Sequence, residues 1–323
     1  MAISVIVSNF NGARFLPKLI ESLQAQQNVE LEIIVVDRES KDDSLAILQQ
    51  HPGIKVVSEP PLSGLVSGYA RGVREASHEH LFFSNEDMWF DPGCLASLEK
   101  QIDLSARVAA ADPWQWSYDG KRWIHGVTRF QKSTYDLNGV HPFRKINFVI
   151  DGPDGTEIPF ACAGAFLIHR QVYDEIGGWD CSFFLDSEDI DLFIRAWQRN
   201  WKCVSVPPAK VFHAVGMSNA NETGVPTSTK VGRRRYVSNR LGKGVIIWKY
   251  FSTSHLWMAF GVFAMAFANN LVKLRFEMAS WDLFVLKTFL NRLASLQNFR
   301  RDHGKANRSH PGERFFTRSE AQL

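Results

Sequence analysis

Apolar and polar positions fall into short alternating blocks along the first quarter of the chain. Ile3-Ser4-Val5-Ile6-Val7 is a β-branched run ended by Asn9-Phe10-Asn11-Gly12, a turn signal, and it predicts a buried strand. Residues 14–27 carry Phe15, Leu19, Ile20 and Leu23 at helical spacing, with Pro17 in the first turn. A second strand is predicted over Glu32 to Asp37, and a helix over Ser40 to Gln50 with Ser40 or Asp42 as its N-cap. Ile54 to Val57 predicts a third strand, Ser67 to Ala76 a third helix, and His80 to Ser84 a fourth strand. Strand and helix alternate with short links. That order predicts an α/β fold: a mostly parallel sheet with helices on both faces.

Ligands of such sheets bind outside the carboxyl ends of the strands. The residues at those ends are Asn9 and Asn11, then Asp37, then Glu59 to Gly64, then Asn85-Glu86-Asp87. Neither GxGxxG nor GxxxxGK[ST] is present, so no glycine-rich loop offers its amides to phosphates. A divalent metal held by carboxylates is the obvious substitute. Further along, Glu188-Asp189-Ile190-Asp191 opens a segment with Leu192, Ile194 and Trp197 at helical spacing. The helix dipole favours acids at such a start, yet three acids in four residues exceed what a cap needs.

Composition narrows the class. The chain has 323 residues, 45% hydrophobic, with 24 Phe and 10 Trp, enough to bury a large core, which excludes general disorder. Four cysteines without a CxxC pair exclude a disulfide scaffold and argue against a zinc ribbon. Reduced, buried thiols in a cytosolic protein are expected. No basic segment precedes the first apolar run, and Asn9 and Asn11 interrupt it early, so no secretory signal is expected.

The net charge of +3 averages two unlike parts. Residues 230–323 carry 17 Lys and Arg against 5 Asp and Glu, whereas residues 1–229 carry 20 against 29. Within the basic part, the uncharged stretch Tyr250 to Val272 has an apolar centre, Leu256 to Ala268, of 13 residues. That is short of the roughly 20 needed to span a bilayer. Leu286, Leu290, Leu293 and Leu296 follow at helical spacing beside Lys287 and Arg292. Basic amphipathic helices with aromatics lie in the membrane interface and favour anionic lipid. Packing on the front of the chain, or a homodimer interface, is the alternative. No RNA- or DNA-binding module is recognisable, so nucleic acid is not an expected partner.

Four segments, in order, resemble glycosyltransferase family 2, including its bacterial rhamnosyltransferase-like members. They are Ser4 to Gly12, Val35 to Asp43, Phe82 to Met88, and Gly177-Gly178-Trp179-Asp180 with Glu188-Asp189-Ile190-Asp191-Leu192 and Arg195. The resemblance covers roughly residues 3–215. It implies the nucleotide-sugar-binding GT-A fold over residues 1–228, a basic helical region at 229–300 and a disordered tail at 301–323.

The resemblance also implies an activity. An inverting, metal-dependent enzyme would move a sugar from a nucleotide-diphosphate sugar to a hydroxyl of a saccharide or lipid-linked saccharide. Cell-envelope polysaccharide synthesis, on the inner face of the cytoplasmic membrane, is the implied setting. By the same resemblance Asn9, Asn11, Asp37, Ser40 and Asn85 bind the donor nucleotide. Asp87 and His213 bind Mg²⁺ or Mn²⁺. Asp189, with Glu188 next, is the base that takes the acceptor proton. Gly164, Trp179 and Asp180 lie by the sugars, and Asp191 orders its loop or pairs with Arg195 four residues on.

Plainer roles compete with these. Asp37 suits a turn, His213 a structural hydrogen bond, and Gly164 and Trp179 tight packing. The chain also departs from the family where Ser67-Gly68-Tyr69-Ala70 lacks two amide side chains, which puts a donor contact in doubt. Residues 112–155 match no motif and are expected to form an acceptor-side insertion. A nucleotidyltransferase of related fold and a saccharide-binding pseudoenzyme are the competing functions. The first is disfavoured because residues 9–18 lack a glycine-rich basic segment.

Overall fold

The β-branched runs form the middle of one sheet in the computed structural model. The structure describes residues 2–60, 64–131, 145–149, 152–214, 230–250 and 253–303. The expected boundary at residue 228 and most of the expected tail lie outside them. Two compact units divide the chain. One comprises Met1–Thr128, Phe148–Phe184 and Leu192–Gly224; the other comprises Arg129–Asn147, Leu185–Asp191 and Val225–Leu323.

In the first unit β1 (Ala2–Asn9) lies between β2 (Glu30–Asp37) and β4 (His80–Asn85), and β3 (Ile54–Ser58) flanks β2, all parallel. Beyond β4 the sheet changes character. Strand β11 (Ala165–His169) runs antiparallel between β4 and β6 (Val108–Ser117). Next to β6 comes β12 (Lys202–His213), parallel to it, and β12 also pairs antiparallel with β10 (Thr156–Ile158) and with the short β5 (Met88–Phe90). Strand β7 (Trp123–His125) hangs on β6, and β8 (Val127–Gln131) pairs with β9 (Lys145–Val149) separately. The sheet is therefore mixed, with the expected parallel half intact.

Because side chains alternate across a strand, the two faces differ. One face is aliphatic: Ile3, Val5, Val7, Ile33 and Val35 pack with Leu16, Leu19 and Leu23 of α1 (Leu16–Gln24), Leu48 of α2 (Ser44–Gln49) and Leu95 and Leu98 of α4 (Cys94–Glu99). Each such burial contributes about 1.5–3 kcal/mol. The other face is aromatic: Phe83 and Phe166 meet Tyr69 of α3 (Gly64–Glu75), Tyr173 of α5 (Arg170–Glu175), Trp179 and Phe193 of α6 (Glu188–Gln198). All four cysteines are thiols. Cys94 and Cys203 are buried and Cys162 is half-buried; Cys181, in the turn after Asp180, is exposed, contrary to expectation.

The second unit contains α7 (Lys230–Tyr250), α8 (Thr253–Val272) and α9 (Phe276–His303). Phe289 of α9 meets Trp248, Phe260 and Phe263 edge-on or tilted. A buried polar knot pins the same helices. Asp282 accepts from Tyr236 Oη at 2.9 Å and from Asn270 Nδ2 at 2.8 Å, with Arg240 Nε 3.3 Å away. Among the described residues no helix is long and apolar enough to cross a membrane.

Candidate active site

The carboxyl ends of β1 and β2 are cross-linked by side chains. Asn9 stands opposite Asp37 in the ladder and donates from Nδ2 to Asp37 Oδ1 at 2.7 Å. Ser40 donates its hydroxyl to the same oxygen at 2.6 Å and its N–H to Oδ2 at 3.0 Å. Asn11 adopts φ 54°, a left-handed conformation that Asn tolerates. Its Oδ1 accepts the Lys41 N–H at 2.7 Å and its own N–H reaches Ser40 Oγ at 2.9 Å. Asn9, Asn11, Asp37 and Ser40 thus form one knot at the sheet's switch point. Asn9 Oδ1 is buried there with no hydrogen-bond partner among the described residues.

Asn85 ends β4 beside Ser8. Its Oδ1 accepts the Tyr69 hydroxyl at 2.8 Å, and that hydroxyl also faces the Ala163 carbonyl at 3.1 Å. The residue that departs from the family pattern therefore orients Asn85, a contact invisible without the fold. Gly164 backs onto the same place: a Cβ there would lie 2.7 Å from Met88 Cε and 3.3 Å from Asn85 Nδ2. Close packing is the observed reason for glycine at this position.

Asp87 follows in the turn to β5, and the β5–β12 pairing brings His213 alongside. His213 Nε2 lies 3.3 Å from Asp87 Oδ1. That oxygen is buried and accepts no hydrogen bond among the described residues. On the other side of the ring, Nδ1 faces Gln115 Oε1 at 3.1 Å. An amide oxygen can only accept, so Nδ1 carries a proton and Nε2 is the ring atom left to face the carboxylate. A neutral ring would present its Nε2 lone pair to the carboxylate and suit a shared cation, whereas a protonated ring would pair with Asp87 directly. A 3.3 Å separation suits two ligands of one octahedral ion with bonds of about 2.1 Å. Asp87 and His213 could hold such an ion with phosphate oxygens completing its shell. Gln115, unnoticed in the sequence because residues 112–155 carry no motif, fixes the imidazole.

A second histidine lies nearby in β7. His125 Nε2 meets Asp112 Oδ2 at 2.7 Å, both fully buried, and Asp112 Oδ1 accepts the Cys162 N–H at 3.1 Å. Burial pushes the Asp112 carboxyl up, against the pull of His125. The pair anchors the turn that carries Ala163 and Gly164.

Trp179 is 6% exposed and stacks on Tyr69, with Phe83 and Phe166 at its edges. Its ring faces belong to the aromatic core. Asp180 is half-buried and caps the following turn, accepting the Ser182 N–H at 2.8 Å. Arg195 donates to the Gly178 carbonyl at 2.7 Å and to the Ile176 carbonyl, closing that turn from below.

In the second unit, Glu188 and Asp189 open α6. Glu188 is buried, and its Oε2 has no partner among the described residues. Burial raises its carboxyl well above the usual range, and the neighbouring Asp189 and Asp186 push it the same way. Asp189 is half-buried, with Oδ1 accepting the Ile190 N–H at 2.8 Å. Asp191 accepts from Lys249 and Tyr250 of α7.

Residues 4–177 match the family model described as Glycosyl transferase family 2. The chain belongs to that family. An uncharacterized Mycobacterium tuberculosis protein, MT1568, is 26% identical over 209 residues, 62% of this chain and 63% of that one. The chain thus spans less than two thirds of that relative. An N-acetylglucosaminyl-diphospho-decaprenol L-rhamnosyltransferase of M. tuberculosis is 21% identical over 232 residues, 65% of this chain and 75% of that one. Among solved structures, GalNAc-T7 with UDP, GalNAc and Mn²⁺ superposes with a TM-score of 0.59 at 14% identity, covering 91% of this chain and 57% of that one. The likeness is one of fold, and the architecture is GT-A.

Proposed function

We propose that this chain is a metal-dependent, inverting glycosyltransferase that moves a sugar from a nucleotide-diphosphate sugar to a saccharide hydroxyl. The observation that carries the reading is the buried Asp87 Oδ1, which accepts no hydrogen bond among the described residues, with His213 Nε2 3.3 Å away. A hard divalent ion such as Mn²⁺ or Mg²⁺, when held by Asp87 and His213, would neutralise the donor diphosphate and its departure. Mn²⁺ is the better match to an imidazole ligand.

The chain's own groups supply the rest. Asp37 Oδ2 carries one bond, from the Ser40 N–H, and keeps a lone pair to accept an N–H of the base. Asn9 Oδ1, Asn11 and Asn85 offer amides around the nucleoside. Asp189, with Glu188 behind it, takes the acceptor hydroxyl proton as that oxygen attacks the anomeric carbon from the opposite side. Attack in line inverts the configuration. Asp180 offers a carboxylate to the acceptor near Gly164, with Trp179 supporting that turn from the core.

The acceptor is proposed to be lipid-linked, in envelope polysaccharide synthesis at the inner membrane face. The M. tuberculosis relative, named for a diphospho-decaprenol substrate, supports the lipid-linked acceptor. So does the turn between α8 and α9, where Val272, Leu274 and Phe276 are 82%, 72% and 63% exposed between Lys273 and Arg275. Exposed apolar side chains interleaved with cations suit an anionic lipid surface.

The test is a thermal-shift screen of UDP-, GDP- and dTDP-sugars with and without Mn²⁺, using wild type and Asp87→Ala. Stabilisation by one nucleotide sugar that needs both Mn²⁺ and Asp87 supports the reading. Stabilisation indifferent to both refutes it. Binding without turnover would instead mark a saccharide-binding pseudoenzyme.

A further inference from the structure

Lys249, in the basic C-terminal region, is buried. Lys249 Nζ donates to Asp191 Oδ1 at 2.8 Å, and Tyr250 Oη donates to the same oxygen at 2.7 Å. The Lys249 and Asp191 side chains are 2% and 0% exposed. A buried ion pair gains little over apolar packing, so its most useful role is to fix a register.

Two further contacts from α7 reach the same segment. Ser238 Oγ accepts the Leu185 N–H at 3.1 Å and donates back to the Leu185 carbonyl. At Gly242 a Cβ would stand 2.8 Å from the Asp186 carbonyl oxygen and 3.1 Å from Ser187 Oγ, so only glycine lets the helix come so near. Residues 238, 242 and 249 recur at helical spacing and lie on one stripe. The stripe meets a segment that needs holding. Asp186 and Ser187, neither of them glycine, have φ of 66° and 74° immediately before Glu188. Consecutive left-handed residues persist only where their surroundings over-determine them.

We infer that α7 is a clamp for the catalytic helix start, and that Lys249 is a positioning residue for Asp189 and Glu188. Three points of contact hold residues 185–191: Ser238 on Leu185, Gly242 on Asp186 and Ser187, and Lys249 with Tyr250 on Asp191. The left-handed pair turns the chain so that α6 begins at Glu188. The inference rests on the proposed reading of Asp189 as base.

The experiment compares Lys249→Met, Lys249→Arg, Tyr250→Phe and Asp189→Asn in the full chain. Three quantities are measured: kcat with the nucleotide sugar that the wild type turns over, calorimetric affinity for UDP with Mn²⁺, and amide hydrogen exchange at 185–191. Lys249→Met is expected to lower kcat about a hundredfold, the cost of a small misplacement of a reacting group. UDP affinity stays unchanged, exchange rises at 185–191 and not in β1 to β4, and Lys249→Arg recovers part of kcat. Tyr250→Phe, which keeps the ion pair, shows the same split on a smaller scale and serves if Lys249→Met does not fold. Wild-type kcat in Lys249→Met beside an inactive Asp189→Asn overturns the clamp. A parallel loss of kcat and UDP affinity in both clamp variants does so too. Full activity in Asp189→Asn overturns the reading beneath it.

Discussion

His213 Nε2 lies 3.3 Å from Asp87 Oδ1, while Nδ1 of the same ring faces Gln115 Oε1 at 3.1 Å. One histidine thus stands between a buried carboxylate and an amide oxygen that orients its ring. Replacing Gln115 by Leu removes the acceptor and leaves both ligands in place. Mn²⁺ affinity in the presence of UDP, measured by the free-ion electron paramagnetic resonance signal, is expected to fall about 10- to 100-fold. His213→Ala should fall further. Unchanged affinity in both would mean that the ring is a structural hydrogen-bonder.

The Tyr69 hydroxyl is the next test. Phe at this position keeps the stacking on Trp179 and the edge contact with Phe83, and removes the hydroxyl that donates to Asn85 and faces the Ala163 carbonyl. Losing an intramolecular hydrogen bond costs about 0.5–1.5 kcal/mol. Urea unfolding of Tyr69→Phe should show that loss, with weaker UDP binding through a misoriented Asn85. Stability within about 0.5 kcal/mol of wild type, the ordinary surface range, would show the hydroxyl to be dispensable.

Glu188 gives a pH prediction with a definite sign. Its folded carboxyl titrates above the ordinary value of 4.5, chiefly through burial. Below that value both folded and unfolded states are protonated, and the group has no effect. As pH rises, the unfolded chain ionises first, so the group costs stability from there up to its folded pKa. Glu188→Gln removes the cost. The melting temperature of the variant minus that of wild type should be small near about pH 4 and grow toward neutral pH. A difference that shrinks with rising pH would contradict the buried, protonated Glu188.

The membrane proposal stands on Leu274 and Phe276. Glutamate at both positions should abolish sedimentation with phosphatidylglycerol vesicles and leave binding to UDP with Mn²⁺ unchanged. Wild type should bind phosphatidylcholine vesicles weakly, because Lys273 and Arg275 need anionic headgroups. Retained vesicle binding in the double variant would refute this surface. Conversion of a wild-type dimer to monomer, with no vesicle binding by either protein, would assign it to a second copy of the chain.

Much of the architecture was legible because period and residue type agree over β1 to β4. β-branched and aromatic runs bounded by turn residues fit buried strands, and Asn9, Asp37 and Asn85 fall at their ends. What escaped were partnerships between residues far apart in the chain. Lys249 and Asp191 are 58 positions apart, and His213 and Gln115 are 98 apart. No hydrophobic period connects such residues. The antiparallel entry of β11 was hidden for the same reason, since a buried strand reads alike in either direction. Lys249 was masked by its setting: one cation among 17 in the basic region looked like lipid-facing charge, and only the fold distinguishes it. Trp179 packs within the aromatic core, its ring stacked on Tyr69, a contact that no sequence period announces.

The account depends most on Asp189 acting as base in a metal-dependent transfer. The direct measurement is sugar transfer from the donor found in the nucleotide-sugar screen, by wild type with Mn²⁺, wild type with EDTA, and Asp189→Asn with Mn²⁺. Removing a general base costs about 10²- to 10⁴-fold. Asp189→Asn should lose activity on that scale while binding UDP and Mn²⁺ like wild type, and EDTA should silence the wild type. Full transfer in both EDTA and Asp189→Asn would contradict the account.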